Sequence, residues 1–287
     1  MDYVRYFGSE VAAFEAAARK AADDGTAPEV PSCPGWVMTD LVLHLGVAHR
    51  CVARVIGERM RRLPDASDPP DTLLPDEWAA WLPPESAPPG QPVPAALLDW
   101  FHEGAEALEE RLFLAGPDEP VWTWSEADRT IGFWQRTQAF EAAVHRWDAQ
   151  KATGEAEPID SALAADAVSQ TFEIMAPVRR AEAKATPGNG EHFLFRRADG
   201  PQSWRVRFSG DEILLGPADG RPDIEISGRA SDLALFLWNR PVNGQLDIQG
   251  NTRMLRRFFE LVPPWDAGTG LGEMLVTGQA ARSVRHD

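Results

Sequence analysis

Between residues 3 and 23 the apolar positions Val4, Phe7, Val11, Phe14 and Ala18 return every three or four residues. That period lines one face of a helix. It predicts a first helix over 3–23, closed at Gly25. The turn VPSCPGW follows, stiffened by Pro31 and Pro34. A second helix is predicted beyond it, with Thr39 as N-cap and Asp40 well placed in the first turn. Its apolar stripe is Leu41, Leu45, Ala48, Val52 and Val55. A third pattern runs over 94–114, with Leu97, Phe101, Leu108 and Leu112 inward. A fourth runs over 130–151, with Phe133, Phe140, Val144 and Trp147, and stops near Gly154. A fifth, over 161–185, contains Pro177 and is expected to kink or break there.

Residues 63–93 interrupt this order. Nine prolines between Pro64 and Pro92 forbid a long helix or a central strand. Trp78 and Trp81 lie among them and favour a packed cover over a free linker.

After Gly188 the period changes. EHFLFRR, SWRVRFSG, EILLG, PDIEISG and LDIQG are short, β-rich and bounded by turn residues. In SWRVRF, Trp204, Val206 and Phe208 alternate with Arg205 and Arg207, the period of a half-buried strand. Two helical patterns, 231–238 and 252–261, fall between and after these strands. The expected fold is multidomain α and α+β: a helical bundle over 1–185, then a small α+β domain over 186–287.

The formal charge of −16 argues against binding a nucleic-acid backbone or an anionic membrane surface. No apolar run approaches the ~18 residues of a membrane span. Two cysteines, Cys33 and Cys51, do not make a disulfide framework, and both are expected to be structural. The opening MDYVRYFGSE lacks a basic-then-apolar leader. These features together predict a cytoplasmic protein.

The stretch QAFEAAVHRWDAQ, residues 138–150, carries candidate chemistry. Glu141 and His145 stand four apart, so both can address one atom from one side of a helix. Gln138 lies a turn earlier on that side and Asp148 a turn later. His44 falls among Leu41, Leu45 and Ala48 on the inward stripe of the second helix. Two imidazoles and a carboxylate from two helices make a three-donor set, the count a catalytic zinc site uses while keeping a fourth position open. Spacing alone leaves other readings open. Glu141 and His145 fit an ordinary i,i+4 pair on a wet face, and His44 fits a core histidine bonded to a carbonyl.

Other residues carry less. His49 is about 140° around the helix from His44 and is not expected to share its ligand. His102 is read as a surface group or an outer partner of the site. No GxSxG, Walker loop or dinucleotide fingerprint is present. GTGLGEM, near residue 270, has glycines without the strand-loop-helix context.

VPSCPGWVMTDLVLHLGVAHR resembles the first motif of the mycothiol-dependent maleylpyruvate isomerase family, a branch of the DinB-like metal-binding bundles. FEAAVHRWDAQ resembles that family's second metal motif, and ISGRASDLALFLWNRPVNGQLDIQGN its sterol-carrier-protein-like C-terminal domain. The three stretches follow the family's order and span both domains.

The resemblance implies a DinB-like four-helix bundle holding a divalent metal, usually zinc, on His44, Glu141 and His145. It implies a low-molecular-weight thiol cofactor such as mycothiol, and a small electrophilic substrate changed by cis–trans isomerisation or S-transfer. A monomer or small homo-oligomer is expected. Arg240, in LWNRP, matches a family arginine that would anchor an anionic substrate; a solvated arginine is the plain reading. Phe140 departs from the family pattern, which carries a polar residue, often histidine, just before the ligand glutamate, and implies a different substrate if that position orients it. Arg136 and Arg146 are read as surface residues. Two rival functions remain: a thiol-independent metal enzyme of biosynthetic tailoring, and a non-catalytic metal- or ligand-binding module.

Overall fold

The structure is a computed structural model that describes residues 1–62, 75, 78, 91–154, 156–216, 220–242 and 244–264. Contacts divide them into two compact units, one within Met1–Glu157 and one beginning at Pro158. No described helix is long and apolar enough to cross a membrane.

The first unit is a four-helix bundle of α1 (Tyr3–Asp23), α2 (Met38–Gly57), α3 (Ala95–Leu114) and α4 (Ile131–Thr153). α1 packs on α4 and on α3, and α2 on α3 and on α4. The stripes read from the periodicity meet inside: Phe7, Phe14, Leu41, Leu45, Leu97, Phe101, Leu108 and Phe133 are all buried. α1 begins where Asp2 accepts a bond from Arg5 N, and α4 where Thr130 accepts one from Phe133 N. α2 starts earlier than expected. Its N-cap is Val37, whose N–H donates to Asp40 Oδ2 at 2.8 Å, so Thr39 lies inside the first turn. The Asp40 carboxylate reaches back to the cap N–H that a Thr39 cap would have left unmatched. Gly46 lets α2 approach α3: a Cβ there would sit 2.2 Å from the Trp100 ring.

The second unit opens with α5 (Ser161–Gln170), capped by Asp160, whose Oδ1 accepts from Ala162 N and Leu163 N. α5 runs through a π-turn, Thr171–Met175, into α6 (Ala176–Glu182). The expected disturbance at Pro177 takes this form. Proline has no N–H for an i−4 bond, and a widened turn relieves its ring. A five-stranded sheet follows, β1 (Gly188–Arg197), β2 (Ser203–Gly210), β3 (Glu212–Leu215), β4 (Ile224–Gly228) and β5 (Asp247–Gly250), in the order β3-β2-β1-β4-β5. Only β1 and β4 run parallel, and α7 (Ala230–Leu237) and α8 (Arg253–Leu261) complete the unit.

The core of this unit is aromatic. Phe193, Phe195 and Phe208 all lie within 6.3 Å of Phe258 from α8, ring centre to ring centre. Val206 and Phe208 face inward, as the alternation requires. Residues 161–182, grouped with the bundle in the sequence reading, make their contacts here. Trp204 Nε1 donates to Ser169 Oγ, and Phe172 packs on Phe195. An amphipathic period shows that a helix buries one face, not which layer covers it.

Candidate metal centre

α4 is enclosed on nearly all sides from Ile131 to Ala149. Along it stand Gln138, Glu141, His145 and Asp148, at spacings of three, four and three that keep them on one side. α2 brings His44 to the same place. One donor atom each from His44, Glu141 and His145 lie within 4.8 Å of one another, the one such cluster among the described residues. His44 Nε2 stands 3.7 Å from Glu141 Oε1, and the two imidazole rings are 5.0 Å apart at 76°. Glu141 is 5% exposed and His145 6%.

Each α4 donor is held from behind. Gln138 Nε2 donates to Glu141 Oε2 at 2.6 Å, which leaves Oε1 toward His44. His145 Nδ1 lies 3.0 Å from Asp148 Oδ2. Ser32 Oγ donates to Asp148 Oδ1 at 2.6 Å, and Cys33 Sγ sits 3.7 Å from Oδ2. Trp36, from the same turn, places its ring 5.1 Å from that of His44. The turn VPSCPGW therefore touches the neighbourhood of both helices' donors.

Burial pushes the Glu141 carboxyl above its ordinary range, against the pull of His145 and of the Gln138 bond. A carboxylate buried next to imidazoles is costly unless something neutralises it. A divalent cation fits this set by chemistry and by size. Donors about 2.0–2.2 Å from a tetrahedral zinc lie roughly 3.4 Å apart, close to the His44–Glu141 separation.

The remaining sequence candidates fall elsewhere. Arg240 belongs to the second unit, where its Nη1 donates to the Trp238 carbonyl. It lines a surface pocket with Phe236, Val242, Leu246 and Phe259. His49 is fully buried in the bundle, 5.1 Å from Phe7 and 5.5 Å from Phe101, ring to ring, and neither ring nitrogen has a hydrogen-bond partner among the described residues. His102 is exposed and bonded to Glu15. Cys33 and Cys51 are buried thiols, and burial raises the Cys51 thiol to about 12. Arg136 is half-buried, 6.0 Å over the Phe140 ring, and Phe140 also packs edge-on against Tyr3.

Arg146 corrects the surface reading. It is 4% exposed, and its Nε donates to Glu10 at 2.7 Å. An arginine beside a candidate ligand looks solvated until its partner, 136 positions away, is known. Ser32 and Trp36 were not singled out in the sequence, which offered only the stiff turn that carries them. Of the proline-rich segment, Trp78 is described: it is buried against Trp100, the rings 6.0 Å apart. Trp81 and GTGLGEM lie outside the described residues.

The family described as the mycothiol maleylpyruvate isomerase N-terminal domain matches residues 7–150, half of the chain. Two crystal structures of the mycothiol-dependent maleylpyruvate isomerase have a similar fold. One, of a histidine-to-alanine mutant, has a TM-score of 0.56 at 11% identity, and the other 0.54 at 12%. In both cases the likeness covers 86% of this chain and 91% of the other. No curated protein matches the sequence.

Proposed function

The chain belongs to the mycothiol maleylpyruvate isomerase family, defined by its N-terminal domain, and from that premise we propose that it is a thiol-dependent metalloenzyme acting on a small electrophile. Its divalent metal, zinc by the donor set, is held by His44, Glu141 and His145. The observation that carries this reading is the convergence of those three side chains from two helices at one buried point. When bound, the metal and a mycothiol-type thiol supply a thiolate nucleophile at neutral pH, the reagent for cis–trans isomerisation by reversible addition or for S-transfer.

The chain's own residues do the rest. Gln138 and Asp148 hold Glu141 and His145. Trp36 walls His44. The buried helices keep bulk water from the donors. Arg240 is proposed as an anchor for an anionic substrate, because it matches the family arginine. Phe140 packs against Tyr3 where relatives often carry a polar group, which favours a substrate other than maleylpyruvate.

The test is elemental analysis of the purified protein and of a His44→Ala variant, followed by assay of thiol consumption with small electrophiles. About one divalent ion per chain, lost in the variant, with thiol-dependent turnover, is the expected result. A parent that stays metal-free after zinc addition and dialysis overturns the metal. Turnover that is equal without thiol moves the reading to metal-activated water.

A further inference from the structure

Asp148 is fully buried, three residues beyond His145 on α4. Its Oδ2 lies 3.0 Å from His145 Nδ1 and its Oδ1 accepts from Ser32 Oγ. With Asp148 as a carboxylate, which only accepts hydrogen bonds, the bond requires the imidazole hydrogen on Nδ1. The lone pair of the neutral ring is then on Nε2. A metal needs an unprotonated nitrogen, and the group across a histidine ring commonly decides which one is free.

We propose that Asp148 is a positioning residue that locks His145 in the Nδ1–H tautomer and presents Nε2 as the donor. This rests on the reading of His145 as a metal ligand. The turn carrying Ser32 and Cys33 holds Asp148 in register: Ser32 occupies the oxygen that His145 does not use, and Cys33 Sγ lies 3.7 Å from the other. Gln138 makes the matching arrangement for Glu141 one turn away, occupying Oε2 and leaving Oε1. A purely structural role, a clamp from α4 to the turn, would use the same hydrogen bonds with Ser32 but would not depend on the histidine tautomer.

The experiment compares the full-length parent with D148N and S32A. The ring nitrogens of His145 are read in the metal-free, 15N-histidine-labelled protein at mildly alkaline pH, and assigned by the signals lost in H145A. Zinc affinity is read by competition with a chromogenic chelator. The expected result is an Nδ1–H ring in the parent and in S32A, and a shift toward the Nε2–H form in D148N. Zinc affinity in D148N should fall roughly 10–100-fold while its far-UV dichroism stays that of the parent.

An Nε2–H ring in the parent overturns the proposal. So does a D148N protein with unchanged tautomer and zinc affinity. If D148N does not fold, the parent spectrum still decides the tautomer. If the parent shows the Nδ1–H ring, lost in D148N, but binds no zinc, the metal reading fails and the control of the ring by Asp148 stands.

Discussion

The Nε of Arg146 meets the Glu10 carboxylate at 2.7 Å, with both side chains almost wholly out of solvent, and this pair fastens α4 to α1 one residue past His145. Arg146 also donates through Nη1 to Gln150 and to the Glu157 carbonyl. Removing one partner of a buried pair leaves the other charge uncompensated, at a cost of about 3–5 kcal/mol. E10A should lose that much in urea unfolding. The double variant E10A/R146M should recover most of it, because no orphan charge remains. A loss below about 1 kcal/mol in E10A would show that water reaches the guanidinium.

His49 sits between Phe7 and Phe101 with both nitrogens unmatched among the described residues, and its pKa falls from 6.5 to about 3, first through burial and then through the charge of His145. The sign follows. The unfolded chain takes up a proton below about pH 6.5 and the folded one does not until near pH 3, so this group's share of stability is full above 6.5 and drains as pH falls toward 3. By pH 4 the loss is on the order of 3 kcal/mol. H49F should therefore keep more of its stability between pH 7 and pH 4 than the parent. Parallel losses in the two proteins would show that His49 is hydrated.

These two residues mark what the sequence could and could not reveal. Helix extents were legible because large apolar residues recur at the helical period, and the strand segments because Trp204, Val206 and Phe208 alternate with arginines. Glu141 and His145 were legible because i,i+4 is a property of one helix, and His44 because an imidazole stood among leucines. Arg146 was misread because its partner lies on another helix. Ser32 and Trp36 carry no sequence signal, because the path of a turn back onto α4 is tertiary and leaves no local period. The start of α2 was misplaced by two residues because Asp40 caps from inside the helix, whereas Thr39 has the composition of a cap.

Gly46 gives a prediction whose sign is diagnostic. In an exposed helix, glycine to alanine stabilises by about 1 kcal/mol. Here the added Cβ would meet the Trp100 ring at 2.2 Å, and that ring is already packed by Trp78 and covered by Arg50. G46A should instead destabilise by about 1–3 kcal/mol, the range for overpacking. Thermal melting reads it directly. Because His44 lies two residues away on α2, zinc affinity should fall as well. A G46A protein that melts above the parent would mean that α2 and α3 part without cost.

Metal removal should separate a working site from a structural relic. A ligand that binds only the folded chain stabilises it by RT ln(1 + [L]/Kd), about 2.7 kcal/mol at a hundred times Kd. For a domain of this size, that is roughly 5–10 °C in melting temperature. The three donors and their supports all belong to the bundle, so zinc should raise the melting temperature of the parent, and chelation should lower it again. H145A should show no shift at any zinc concentration, since two donors hold zinc too weakly to matter at micromolar levels. Its metal-free melting should fall, because the ring bonds the buried Asp148 and offsets part of the cost of burying Glu141, so the zinc shift is read from the variant's own metal-free value. An equal zinc shift in H145A would place the bound ion elsewhere, and the convergence of His44, Glu141 and His145 would then be packing alone.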